Sequence, residues 1–233
     1  MTPSAHDSPS PTRRLPLWLK LSYTAFVAVL VPFYWVLYGP TNFLYFCDLS
    51  LFFTLAALWS ESPLLASMPA VGIVLPQILW MGDFLLQLFH LPGVGLTAYM
   101  FDAHKPLFTR GLSFFHFWLP ILLIYLVWRL GYDRRAFLAW SVLAFVLVIF
   151  CYFFLPAPPA PPDHPDLPVN VNFVYGLNDV KPQTWMDPRL YVLTLLAVLP
   201  FGIYLPTHLV LRKLFRDPRR PHLESAAATQ KAA

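Results

Sequence analysis

The segment TNFLYFCDLSLFF, residues 41–53, reads as lipid-facing helix apart from Cys47 and Asp48 at its middle. An ionisable group inside a bilayer costs at least ~2.5 to 3.5 kcal/mol on insertion scales, so it normally faces the protein interior and has a use there. A thiol beside a carboxylate has one use in particular: its thiolate is a nucleophile, and a neighbouring base generates it. His116, in TRGLSFFHFW, is the obvious base. Cys47 and His116 within hydrogen-bond reach, oriented by Asp48 or Asp83, would form the general arrangement for acyl transfer through a thioester. Asn172, Tyr175 or Gln87 could then donate to the oxyanion.

Each residue also has a plainer reading. A lone intramembrane cysteine is more often a small packing residue. His116 can satisfy a single helix-to-helix hydrogen bond, worth ~0.6 kcal/mol on average. Asp83 can simply neutralise Arg110, and Asp48 can pair with a cation from a loop. Cys151 could pair with Cys47 in an oxidising compartment. His90, His104 and His164 read as solvated, and the DHPD run at 163–166 lacks metal-ligand spacing. No HExxH, Walker loop or dinucleotide glycine fingerprint occurs, so no cofactor and no metal are expected.

The elements that position these groups follow from composition. The chain has 233 residues, 58% hydrophobic and only 12% charged, with 21 Phe and 8 Trp, far more apolar than a soluble domain of this length. The fold class is therefore all-α, a polytopic integral membrane protein. Its net charge of +4 sits in clusters between apolar runs, which topology explains better than a nucleic-acid partner does. A bilayer core needs about 20 apolar residues of helix. Six stretches qualify as transmembrane helices: 17–38, 41–59, 63–90, 111–131, 135–155 and 190–211. Pro76 and Gly82 predict a kink or tilt in the long third span, and Pro120 and Pro200 bends in the fourth and sixth.

Basic residues set the direction. Arg13, Arg14 and Lys20 precede the first span; Arg129, Arg134 and Arg135 join the fourth and fifth; Arg212, Lys213, Arg216, Arg219, Arg220 and Lys231 follow the sixth. Only Lys105, Arg110, Lys181 and Arg189 fall on the other side, so both termini are expected to be cytoplasmic, N-in/C-in. The polar start MTPSAHDSPSPTRR precedes an apolar run without a small-residue cleavage site, so the first span is expected to stay as an anchor. The organisation is a disordered tail at 1–16, a six-helix membrane domain at 17–212 and a basic tail at 213–233. The long connection at 156–188 falls outside. It begins as a polyproline spacer, but Asn170, Asn172, Phe173, Tyr175 and Trp185 make its second half too aromatic for a solvated linker, and it is expected to fold back over the bundle.

With this topology the polar residues meet. Cys47 lies six residues into its span, about 9 Å deep. Trp80, Asp83, Gln87 and His90 follow one helical stripe towards the same surface, and Arg110, Ser113 and His116 re-enter there. The inner halves of these spans are nearly uniform Leu, Phe, Val, Ala and Ile, so the outer halves read as the wall of a cavity.

The segment GPTNFLYFCDLSLF resembles the P-x-H-x-C-[DN]-[LI] start of the second span in the YwaF-like bacterial integral membrane proteins, whose eukaryotic relatives are acyltransferases remodelling ether phospholipids. PLFTRGLSFFHFWLPILLIYLVW is similar to that family's later span with its single histidine, and NVNFVYGLNDVKP to its N-Y-x-y-L-x-x-K-P stretch. The resemblance implies a cysteine that takes an acyl group from a phospholipid, here Cys47, a histidine that activates it, His116, and a loop asparagine, Asn172. The chain departs from the pattern at Tyr45 and Phe173, where the family has histidine and tyrosine, and in two extra residues before Lys181 and Pro182. The expected function is a lipid acyltransferase or lipid hydrolase at the outer leaflet of the bacterial inner membrane, acting on a phospholipid or lysophospholipid. The alternative is a non-enzymatic transporter component or assembly protein in which Asp48, Asp83, Arg110 and His116 form an intramembrane charge network.

Overall fold

A computed structural model describes residues 15–217; most of the two expected tails, 1–14 and 218–233, lies outside the described residues. Every regular element among the described residues is helical. The helices are α1 (Leu17–Tyr38), α2 (Phe46–Ser60), α3 (Pro63–Leu88), α4 (Leu107–Leu112), α5 (Phe115–Leu130), α6 (Ala136–Phe154), α7 (Pro188–Val198) and α8 (Leu205–Leu214). Five stretches are long and apolar enough to cross a membrane: α1, α3, Leu107–Leu130, α6 and Pro188–Leu214. The chain is a multi-pass membrane protein.

The second expected span departs from the reading of its sequence. Gly39, at φ 78°, ends α1, and Pro40–Leu44 form a 3-10 turn, leaving 15 residues of α-helix in α2. At 1.5 Å per residue that is about 22 Å, short of a ~30 Å hydrocarbon core. The α-helical part of this stretch is therefore too short to cross by itself.

Two other spans are interrupted. The expected helix at 111–131 is α4 and α5, separated at Ser113 and Phe114 by tight turns in which Phe114 N donates to Gly111 O and His116 N to Ser113 O. The hydroxyl of Ser113 also bonds back to Thr109 O, a contact that competes with the regular ladder. At the predicted bend, Pro200 lies in a π-helical turn, Leu199–Tyr204, between α7 and α8. Proline has no N–H to give to the carbonyl four residues earlier, and a wider turn accommodates the loss.

Helix α3 is the centre and packs against α2, α5, α6 and α8. Residues Ala66 to Val74 are buried without a break, as a helix surrounded on all sides requires. Its small residues admit close neighbours: a Cβ on Gly72 would fall 1.9 Å from Nε1 of the fully buried Trp140.

The connection at 156–187 does fold back. Val169, Asn170, Val171, Asn172 and Val174 are buried, although Trp185 stays exposed. Asn170 organises the segment: its Oδ1 accepts from Tyr175 N, and its Nδ2 donates to the carbonyls of Gly176 and Asn178. Tyr45 and Tyr191 donate to the carbonyls of Val169 and Phe173, and Lys105 pairs with Asp166 across two loops. At the opposite end of the bundle, Lys20 pairs with Glu61 at 2.7 Å, Arg135 with Asp133 at 2.7 Å and Arg134 with Asp217 at 3.2 Å.

Candidate active site around Cys47

Tyr45, the N-cap of α2, offers its helix no side-chain bond. Asn172 supplies the bond from the far loop. Its Oδ1 accepts from Phe46 N at 3.0 Å, its Nδ2 donates to Leu44 O at 2.9 Å, and the same Nδ2 lies 3.6 Å from the Cys151 sulfur. To reach across, Asn172 adopts φ 58°, a conformation asparagine tolerates better than most residues. The amide thus does the work of an N-cap and fixes where α2 begins.

Cys47 is the second residue of that helix, at the positive end of its dipole. Cys47 is half-buried and Cys151 buried, and both thiols are free. The Cys47 thiol donates to Asp48 Oδ2 at 3.7 Å. Asp48 is only 4% exposed, and its Oδ1 is buried with no hydrogen-bond partner.

His116 lies on the neighbouring wall. Its Nδ1 is 2.8 Å from Ser113 O, and because a carbonyl only accepts, Nδ1 carries the proton and Nε2 the lone pair. The ring stacks on Trp80 at 4.6 Å and on Phe115 at 4.1 Å between centroids. No hydrogen bond joins His116 to Cys47 or Asp48 among the described residues, so the proton acceptor bonded to the thiol is Asp48. The ring of Tyr99 meets Trp80 at 6.5 Å, and burial pushes its phenol far above the ordinary range. Tyr34 closes the cluster through a 2.8 Å bond to Ser113 Oγ.

Other residues singled out from the sequence have different placements. Asp83 accepts five hydrogen bonds, from Val94 N, Gly95 N, Thr97 N, Thr97 Oγ1 and Gln87 Nε2. It anchors the loop after α3 and makes no ion pair with Arg110, whose Nη1 donates to Met100 O at 3.1 Å. Gln87 bridges Asp83 and Thr97. His90 leaves the expected stripe because α3 ends at Leu88, and it has φ 57°. Tyr175 donates its hydroxyl to Tyr152 O at 2.7 Å and to Leu155 O at 3.2 Å. Asn172, Tyr175 and Gln87, the three expected oxyanion donors, are thus all engaged by the protein itself.

Tyr34, Tyr99 and Gln77 escaped the sequence reading. Gln77 is 2% exposed, and neither its Nε2 nor its Oε1 has a partner. Its signal was one amide in the apolar run AVGIVLPQILW, where only packing shows that it faces protein. Among the described residues no group of three His, Cys, Asp or Glu is placed to hold a metal ion.

Compared with family models, curated proteins and solved structures, the chain matches none. Its class therefore rests on the fold and the site: an all-helical multi-pass membrane protein with a free thiol and an incompletely bonded carboxylate at the start of a short helix clamped by Asn172.

Proposed function

We propose that this protein is a membrane-embedded lipid acyltransferase or lipid hydrolase, working at the outer leaflet of the bacterial inner membrane through an acyl-enzyme on Cys47. The observation that carries the reading is the Cys47–Asp48 contact at the N-terminus of α2. A helix N-terminus favours the anion that a thiol becomes, and a carboxylate in contact can take its proton. The quoted likeness to the YwaF-like proteins points the same way.

In the first half-reaction the Cys47 sulfur attacks the carbonyl carbon of a phospholipid ester while Asp48 takes the thiol proton. The bond from carbonyl carbon to glycerol oxygen breaks, the departing oxygen receives that proton, and a lysolipid leaves. In the second, a lysolipid hydroxyl or water gives its proton to Nε2 of His116 and attacks the thioester. The carbon–sulfur bond breaks, the departing Cys47 sulfur takes up the proton that His116 received, and both groups return to their starting states. Transfer and hydrolysis differ only in the second nucleophile.

The topology belongs to the same proposal. In this reading the chain crosses six times, α2 being completed by the Pro40–Leu44 turn, with both termini in the cytoplasm and residues 156–188 outside; the twelve basic residues on one side against four on the other support it. Asp83, fully engaged in structure, supports the competing non-enzymatic reading for that residue alone. Mass spectrometry of protein purified from its own membrane, and of protein incubated with phospholipid, is expected to find an acyl group on Cys47 that hydroxylamine removes and Cys47→Ala abolishes. Persistent absence of that mass would refute the cysteine mechanism.

A further inference from the structure

Gln77 is an anomaly in α3: a glutamine in an apolar helix, 2% exposed, with both polar atoms unpartnered. Burying an amide without a hydrogen bond is unfavourable, and leucine at that position would avoid the cost. Its location gives the amide a use. Helices α2 and α3 are antiparallel neighbours joined through Glu61 and Ser62. Cys47 lies fourteen residues before Glu61 and Gln77 fifteen after Ser62, so the two are level to within about 1.5 Å along the bundle.

The face agrees as well as the depth. Gln77 precedes Trp80 by three residues and so shares its side of α3. Trp80 stacks on His116 and meets Tyr99. Gln77 is therefore one turn deeper than Trp80 on the α3 face that carries the His116 and Tyr99 rings. Among the described residues Asn42, in the turn before α2, also keeps an unpartnered Nδ2, but Gln77 is the buried amide with both polar atoms open, whereas Asn172 and Gln87 are engaged elsewhere.

We propose that Gln77 holds the carbonyl oxygen of the ester attacked by Cys47, its Nε2 donating to that oxygen as it becomes an oxyanion. This rests on the acyl-enzyme reading and adds its missing donor. As the sulfur–carbon bond forms, the carbonyl π pair moves onto the oxygen facing Gln77. As the glycerol oxygen leaves with the proton held by Asp48, the pair returns.

The test separates recognition of the carbonyl from acylation. Purified Cys47→Ala protein, which forms no thioester, is heated in detergent with added diester phosphatidylethanolamine or with its diether analogue, which has no carbonyl. The diester lipid is expected to raise the melting temperature more than the diether lipid, and Gln77→Leu in the same background to remove that difference. Gln77→Met serves as a second apolar variant if the leucine variant does not fold. With Cys47 intact, Gln77→Leu is expected to slow the appearance of acyl mass by roughly 10²- to 10³-fold, the usual loss for one oxyanion donor. Equal shifts with both lipids in the Cys47→Ala protein, or an ester preference that survives in Gln77→Leu, would overturn the assignment. A Gln77-dependent ester preference in a protein that never carries acyl mass would uphold the carbonyl site while refuting the acyl-enzyme.

Discussion

Asp48 and Asp83 are each only 4% exposed, but Asp48 lies deep and Asp83 shallow beneath the loop after its helix, and their bonding is opposite. Asp83 accepts five hydrogen bonds from the loop that follows its helix and from Gln87. Asp48 has a thiol at 3.7 Å on one oxygen and no partner on the other. Solvent exposure alone would have put both carboxylates in one class. The difference lies in who meets the charge: backbone N–H groups satisfy Asp83 and make it an anchor, whereas Asp48 is left able to exchange a proton.

The largest effect expected from this contrast is chemical. Asp48→Asn is expected to slow acylation of Cys47 by about 10²- to 10⁴-fold, the range for loss of a general base, without lowering the melting temperature. If Asp48→Asn instead unfolds the protein while acylating normally, the contrast between the two carboxylates collapses.

Asp83→Ala tests the other side. It leaves the N–H groups of Val94, Gly95 and Thr97 without their acceptor, and a loss of roughly 1 to 3 kcal/mol is expected, the cost of leaving buried donors unsatisfied. Thermal melting and protease cleavage at 89–97 should both report it, while acylation per folded molecule stays near normal. Gly93→Ala should reproduce the effect more weakly, because the added Cβ would fall 2.5 Å from Asp83 Oδ1.

Asn172→Ala should cost about 1 to 2 kcal/mol, the scale of a lost N-cap, and expose alanine to a positive φ. Its distinguishing readout is Cys47: maleimide labelling should speed up as the start of α2 frays, which Asp83→Ala would not cause. Gln87→Leu is expected to be the mildest change, about 1 kcal/mol or less in melting experiments, because Asp83 retains four other bonds.

Much of the fold was legible in the sequence. Helix α1 occupies 17–38 as read, and α6 differs from its expected limits by one residue at each end, because long apolar runs bounded by proline, glycine and charge leave the backbone few alternatives in a bilayer. The shortened α2, the break at Ser113 and the π-turn at Pro200 were not legible as such. Each depends on a local choice between 3-10, α and π turns, which differ little in side-chain pattern.

The candidate site divides along the same line. Cys47, Asp48 and His116 stood out because a polar group in an apolar run is costly wherever it lies, and no partner need be known to see that. Which of the buried polar groups were already occupied was decided by tertiary structure alone. Asp83 acquires its donors from a loop eleven to fourteen residues onward, and Asn172 finds the start of α2 across 126 residues. Gln77 remains open because neither arrangement reaches it. The sequence set the cost of burying each group by its chemistry; whether that cost was offset depended on directional bonds a few ångströms long, which form only once distant segments are packed together.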